Sequence, residues 1–135
     1  MTRRQKIFLA LTVLWLCVIW GHSMMPATES GNESNFLAEW LMQYIPWMDD
    51  YVIRKVAHFA EYAVLGGLLL GAFPKRGRDA VLRAVLAGLL VALTDETIQL
   101  FAPGRSGQIT DVWLDIAGFG TGQLLLRLLF RKRTE

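Results

Sequence analysis

The chain has 135 residues, enough for one domain. Hydrophobic residues make up 53% of it and charged residues 19%, with a mean hydropathy of +0.34, a balance that favours a membrane protein. The net charge of +2 means little as a total because the charges are unevenly spread, and the lone Cys17 excludes an internal disulfide or a cysteine-built zinc centre.

From Ile7 to Met25 no residue carries a formal charge. As a helix this stretch spans about 30 Å, the thickness of a bilayer core, so a first crossing helix is predicted over 7–25. The preceding TRRQK would suit a signal peptide, but no small-x-small cleavage site follows, and the segment is read as retained. Residues 26–50 form the one long connection. Within it Phe36, Leu37, Trp40, Leu41, Tyr44 and Ile45 recur at helical spacing, which predicts a short amphipathic helix at the headgroup level, anchored by Trp40, Tyr44 and Trp47. A lid over a substrate is the sharper alternative for this segment.

The second helix is predicted over 51–73, polar in its first three turns and apolar thereafter. PKRGRD at 74–79 is a tight basic turn. The third helix, 80–100, reverses that pattern, its apolar part first and its carboxylates last. The fourth, 111–130, is again polar at its start. The expected architecture is therefore all-α: a polytopic membrane four-helix bundle in a single domain, with the interfacial helix between helices 1 and 2.

Every basic residue except Arg54, Lys55 and Arg105 lies in the N-terminal flank, the 74–83 region or the C-terminal flank, while every acid except Asp79 and Glu135 lies toward the other side. The bias of Lys and Arg toward the cytoplasm then puts both termini inside and the polar half outside, in the inner membrane. Basic residues that are explained by topology leave nothing to support nucleic-acid binding.

Three helices place polar groups in one layer. Helix rise puts His58 about 10 Å, Asp95 about 8 Å and Asp115 about 6 Å beneath the outer surface. Lys55, His58 and Tyr62 share a stripe, Glu61 stands one turn from His58, Asp95 and Gln99 are four apart, and so are Asp111 and Asp115. Facing lipid, each charged group would cost about 2.5–3.5 kcal/mol at a helix centre, so the stripes are expected to face one another. Gly66, Gly67, Gly88, Gly118, Gly120 and Gly122 are expected to let backbones approach closely, with Gly118 and Gly122 forming an intramolecular G-x-x-x-G contact.

These residues resemble the VanZ-like family of small integral membrane proteins. The resemblance rests on Lys55-x-x-His58-Phe59-x-Glu61-Tyr62, on Asp95-Glu96-x-x-Gln99 with Phe101-x-Pro103-Gly104-Arg105, and on Asp111-Val112 leading to Gly118 and Gly122. His22-Ser23-Met24 adds a match at the end of helix 1. Together the pieces span nearly the whole chain in order. Asp115 departs from the pattern, which has Asn there, adding an acid and removing an amide donor. The resemblance implies a four-helix membrane domain linked to low-level resistance to teicoplanin-type glycopeptides and lipoglycopeptides, and it implies no particular reaction.

Two functional classes follow. In the first, an envelope enzyme acts on a lipid-linked or amphiphilic molecule in the outer leaflet. His58 carries the proton, oriented by Glu61 or by a carboxylate of the third helix, with Asp95 or Glu96 as acid or base. Lys55, Tyr62, Gln99, Arg105, Asp111 and Asp115 bind the substrate, Arg105 or Lys55 taking an anionic head group. In the second class the same cavity binds a lipid-linked precursor or a lipoglycopeptide without chemistry. A purely structural ion-pair network is the blander alternative, and an apolar inner half argues against an ion path. No cofactor is predicted. A divalent ion on ligands drawn from His58, Glu61, Asp95, Glu96 and Asp111 is the alternative, an oxygen-preferring ion ahead of zinc, although H-E-x-x-H is lacking.

Overall fold

The computed structural model describes residues 1–26, 45, 50–73, 78–105 and 107–131. The chain is all-α, with helices α1 (Arg3–Met24), α2 (Asp50–Ala72), α3 (Arg78–Phe101) and α4 (Ile109–Arg131). Each expected helix is present and extends one to four residues past its predicted start. Thr2 accounts for the early start of α1. Its hydroxyl accepts from the Gln5 backbone N–H while the Gln5 side chain accepts from the Thr2 N–H, a capping box that satisfies two otherwise orphaned donors. The interfacial helix with Trp40, Tyr44 and Trp47 lies outside the described residues.

Helix α2 is central. It touches the other three helices, most extensively α4. The α2–α4 pair runs parallel: Lys55 lies beside Asp111, Phe59 beside Gly118 and Ala63 beside Gly122. This contact is backbone against backbone. A Cβ at Gly118 would collide with the Phe59 carbonyl, one at Gly122 with the Ala63 carbonyl, and one at Gly66 with the Phe119 carbonyl. Gly88 of α3 leaves room for the Phe119 ring, which would lie 2.7 Å from a Cβ there. The G-x-x-x-G stripe is thus an intramolecular seam. Gly120 is different from the expectation, because a Cβ there meets nothing within 4 Å, and Gly67 makes only an ordinary contact with Gly122. Gly120 points off the seam, as helical geometry requires of a residue midway between Gly118 and Gly122.

Helix α1 packs antiparallel on α2. The Trp15 indole N–H donates to the Glu61 carbonyl at 2.8 Å, and the Phe8 ring occupies the space beside Gly71. Trp15→Phe should keep the ring packing and lose that one bond, lowering stability by about 1 kcal/mol in a detergent unfolding assay.

Tyr62, Leu65, Ile19, Ala84, Ala92, Val112 and Phe119 form the apolar core. Around it the surface is greasy: Leu9, Val13, Leu14 and Val18 on α1, Leu82, Leu86, Leu90 and Leu93 on α3, and Leu124, Leu125, Leu128 and Leu129 on α4 are exposed. Inside lie Thr12, Ser23, Asp95, Glu96, Gln99, Asp115 and Gln123. Apolar outside with acids inside is the distribution suited to lipid. Two helices, Arg3–Met24 and Ile109–Leu129, are long and apolar enough to cross a membrane. The four-span expectation is met by composition for these two. Helices α2 and α3 are as long, but Lys55 and Glu61 in one and Asp95 and Glu96 in the other lower their hydropathy.

Candidate functional site

Helix α3 ends where Ala102 donates to the Gln99 carbonyl and Arg105 to the Ala102 carbonyl. Gly104 has φ of 75°, a left-handed conformation that favours glycine, and it turns the chain back toward α4. Gly107 then lies so close to α3 that a Cβ would sit 2.6 Å from the Glu96 carbonyl. The Glu96 side chain secures the return by accepting from the Gln108 backbone N–H at 2.6 Å. This turn brings the polar start of α4 beside the polar end of α3 and the polar start of α2.

One group forms between them. His58 of α2, Asp95 of α3 and Asp115 of α4 each offer a ligand-type atom, all within 4.8 Å of one another. Asp95 and Asp115 are both 0% exposed. The His58 Nδ1 atom stands 3.5 Å from Asp115 Oδ1, an ion-pair separation too long for a hydrogen bond. Neither Asp115 oxygen has a hydrogen-bond partner among the described residues, nor does His58 Nδ1 or the fully buried Tyr62 hydroxyl. Asp95 is differently placed. The Ser23 hydroxyl of α1 donates to its Oδ1, and the Gln99 amide to its Oδ2 at 3.3 Å.

Above this group opens a cavity of about 170 Å³. Arg54, Lys55 and Arg105 line it, with His58 at its base and Asp111 as the acid in its wall. Lys55 is ion-paired with Asp111 across the α2–α4 contact. The Arg105 guanidinium donates to the His22 carbonyl at 3.2 Å. Burial, followed by the neighbouring Arg54 charge, lowers the Arg105 pKa from its ordinary value. The polar end therefore divides into two layers: a cation-lined opening and an acidic floor, with His58 belonging to both.

Several expected roles change with this geometry. The carboxylate facing His58 belongs to Asp115 of α4. Glu61 instead meets His22, whose Nδ1 lies 3.1 Å from its Oε1. His22 is accordingly more than a helix-end residue. Glu96 stands outside the group and ties the α3–α4 turn, so its side chain acts on the path of the chain. Lys55 is engaged by Asp111, and Arg54 and Arg105 also line the opening. Ser23 joins the site through Asp95, a role its place in the sequence does not single out. Its signal was the polar pair His22-Ser23 closing an otherwise apolar segment, where only an interior partner makes a hydroxyl worth burying.

The VanZ/LLP1 family model matches residues 8–131, nearly the full chain. The chain belongs to the VanZ/LLP1 family. The match runs from α1 through α4 and so contains every residue of the site, from Ser23 to Asp115. Family membership together with the apolar α1 and α4 makes this a membrane protein. No curated protein and no solved structure matches significantly. For this VanZ/LLP1 chain the local chemistry must be argued from its own residues.

Proposed function

We propose that this is a multi-pass inner-membrane protein of the cell envelope whose outward-facing cavity takes the anionic head group of a lipid-linked or amphiphilic envelope molecule. The observation that carries the reading is the cavity lined by Arg54, Lys55 and Arg105, with His58 at its base. Two guanidiniums beside one opening repel each other, and an anion relieves that repulsion while taking bidentate hydrogen bonds. A phosphate is the natural match, since lipid carriers of envelope precursors bear one where the chain meets the head group. The exposed leucines of α1, α3 and α4 give such a ligand's tail an apolar surface on which to lie.

His58 would then stand at the head group with the acids behind it. It is the one residue common to the opening and the buried group, and imidazole titrates near neutrality. The site thus serves proton transfer at a bound head group. Membership in a family tied to glycopeptide resistance fits a protein that handles the lipid-linked targets of those antibiotics, or the amphiphilic antibiotics themselves. Binding without chemistry remains the second reading, favoured by the Lys55–Asp111 pair, which shapes the opening without touching His58. A purely structural network is disfavoured, because such a network would satisfy its buried polar atoms, whereas Asp115, His58 and Tyr62 retain unpartnered ones among the described residues.

Titration of the purified chain in neutral detergent with farnesyl phosphate and with farnesol, followed by tryptophan fluorescence, tests the anion reading. The phosphate should bind at least about tenfold more tightly, a difference of about 1.4 kcal/mol. Arg105→Gln should remove most of that preference while leaving farnesol unchanged. Equal binding of the two ligands by the unmodified chain would rule the reading out.

A further inference from the structure

We infer that His58, Asp95 and Asp115 form a binding site for one divalent cation of the Mn²⁺ or Zn²⁺ class, set between α2, α3 and α4. Their ligand atoms lie within 4.8 Å of one another. Neighbouring ligands around an ion at about 2.0–2.4 Å sit about 3–4 Å apart, a separation His58 Nδ1 and Asp115 Oδ1 already have at 3.5 Å, so the group closes on a metal with shifts of up to about 1 Å. One imidazole nitrogen and two carboxylate oxygens suit a metal that accepts mixed ligands, and such a set leaves further positions open.

Asp115 supplies the independent observation. It is 0% exposed, sits against His58, and neither of its oxygens has a hydrogen-bond partner among the described residues. A buried carboxylate with both oxygens unengaged is unfavourable unless a cation meets it. Lys55 is paired with Asp111, the Arg105 guanidinium donates to the His22 carbonyl, and His58 stands at 3.5 Å, too far to hydrogen-bond to the carboxylate. His58 Nδ1, also unpartnered, is directed at the same point. With a neutral imidazole the group carries two negative charges in an apolar bundle, and one divalent ion cancels them. Asp95 is held for the task by Ser23 and Gln99, as metal-binding carboxylates commonly are by outer partners.

His58 also lines the cavity, so an ion here would have a path for entry, and its open positions would face the opening. The site does not rest on the anion reading of that opening, because metal binding can be measured with no amphiphile present; with the ion bound the His58 nitrogen is a ligand and no longer titrates, so the metal-loaded and proton-carrying states of His58 exclude each other. The full chain, purified in detergent and stripped with EDTA, would be titrated with Mn²⁺ and followed by the loss of the free-ion paramagnetic resonance signal, then competed with Zn²⁺. Saturable uptake of one ion per chain is expected. Asp115→Asn should weaken it by more than about 100-fold, and Ser23→Ala, which spares all three ligands, by about 10- to 100-fold. Asp115→Asn removes a buried charge at constant shape, so its helix content and melting should show it folded. Mn²⁺ should also raise the melting temperature of the unmodified chain but not that of Asp115→Asn. Absence of saturable uptake of either metal by the unmodified chain would overturn the site, as would unchanged affinity in both variants.

Discussion

In a strain whose glycopeptide susceptibility changes on expression of this chain, exchange of His58 for asparagine should abolish that change at unchanged abundance in the membrane. Asparagine preserves approximate size and hydrogen bonding but has no titrating proton. Among the described residues that line the cavity, Gln99 and His58 both reach the buried acids, and of these two His58 is the one that titrates, so proton movement at a bound head group runs through it. Loss of a positioned general acid or base costs on the order of 10²–10⁴ in rate, enough to erase a phenotype. The readout is antibiotic susceptibility beside an immunoblot of the membrane fraction. A retained phenotype would leave binding without chemistry as the better account, and Arg105→Gln would then be the more damaging change.

Gly122→Leu should be the most destabilising single substitution along the α2–α4 seam. The space its side chain needs is occupied by the Ala63 carbonyl, and backbone cannot yield as the end of a flexible side chain does. Overpacking of a well-packed interior costs about 1–3 kcal/mol, and a seam made of backbone belongs at the upper end. Parting α2 from α4 would also separate His58 from Asp115, so stability and function should fall together. Gly120→Leu is the matched control, because its Cβ meets nothing within 4 Å. Thermal unfolding in detergent should distinguish the two clearly. Equal melting temperatures would mean that the close contact is not formed.

The helices were legible because the apolar runs are long and punctuated by Pro, Gly and charge, as at PKRGRD and PGRSG. The meeting of His58, Asp95 and Asp115 in one layer was also legible, since helix rise and the cost of charge in lipid constrain depth and facing direction before any contact is known. What the sequence left open was which acid meets which base. Glu61 and Asp115 both lie within a turn or so of the correct depth; the rotation of α4 on its glycine seam turns Asp115 toward His58, while the packing of α1 on α2 sets His22 against Glu61. Ser23 escaped notice for a related reason: a serine near a helix end is ordinary until a carboxylate from a segment far along the chain is placed against it. Glu96 shows how neighbours in sequence part in space. Adjacent to Asp95 in sequence, it points about 100° away around the helix and holds the following turn.

The most direct measurement is the labelling of Gln108→Cys, in a chain whose Cys17 is replaced by serine, with a membrane-impermeant maleimide on intact cells. Gln108 is exposed and lines the cavity, whereas Asp79 is exposed in the first turn of α3, at the opposite end of that helix from the site. Rapid labelling of Gln108→Cys that is slowed by farnesyl phosphate and not by farnesol, with no labelling of Asp79→Cys until the cells are opened, is the expected result. Labelling of Gln108→Cys only after permeabilisation, or at a rate indifferent to the phosphate, would contradict an outward, anion-binding cavity.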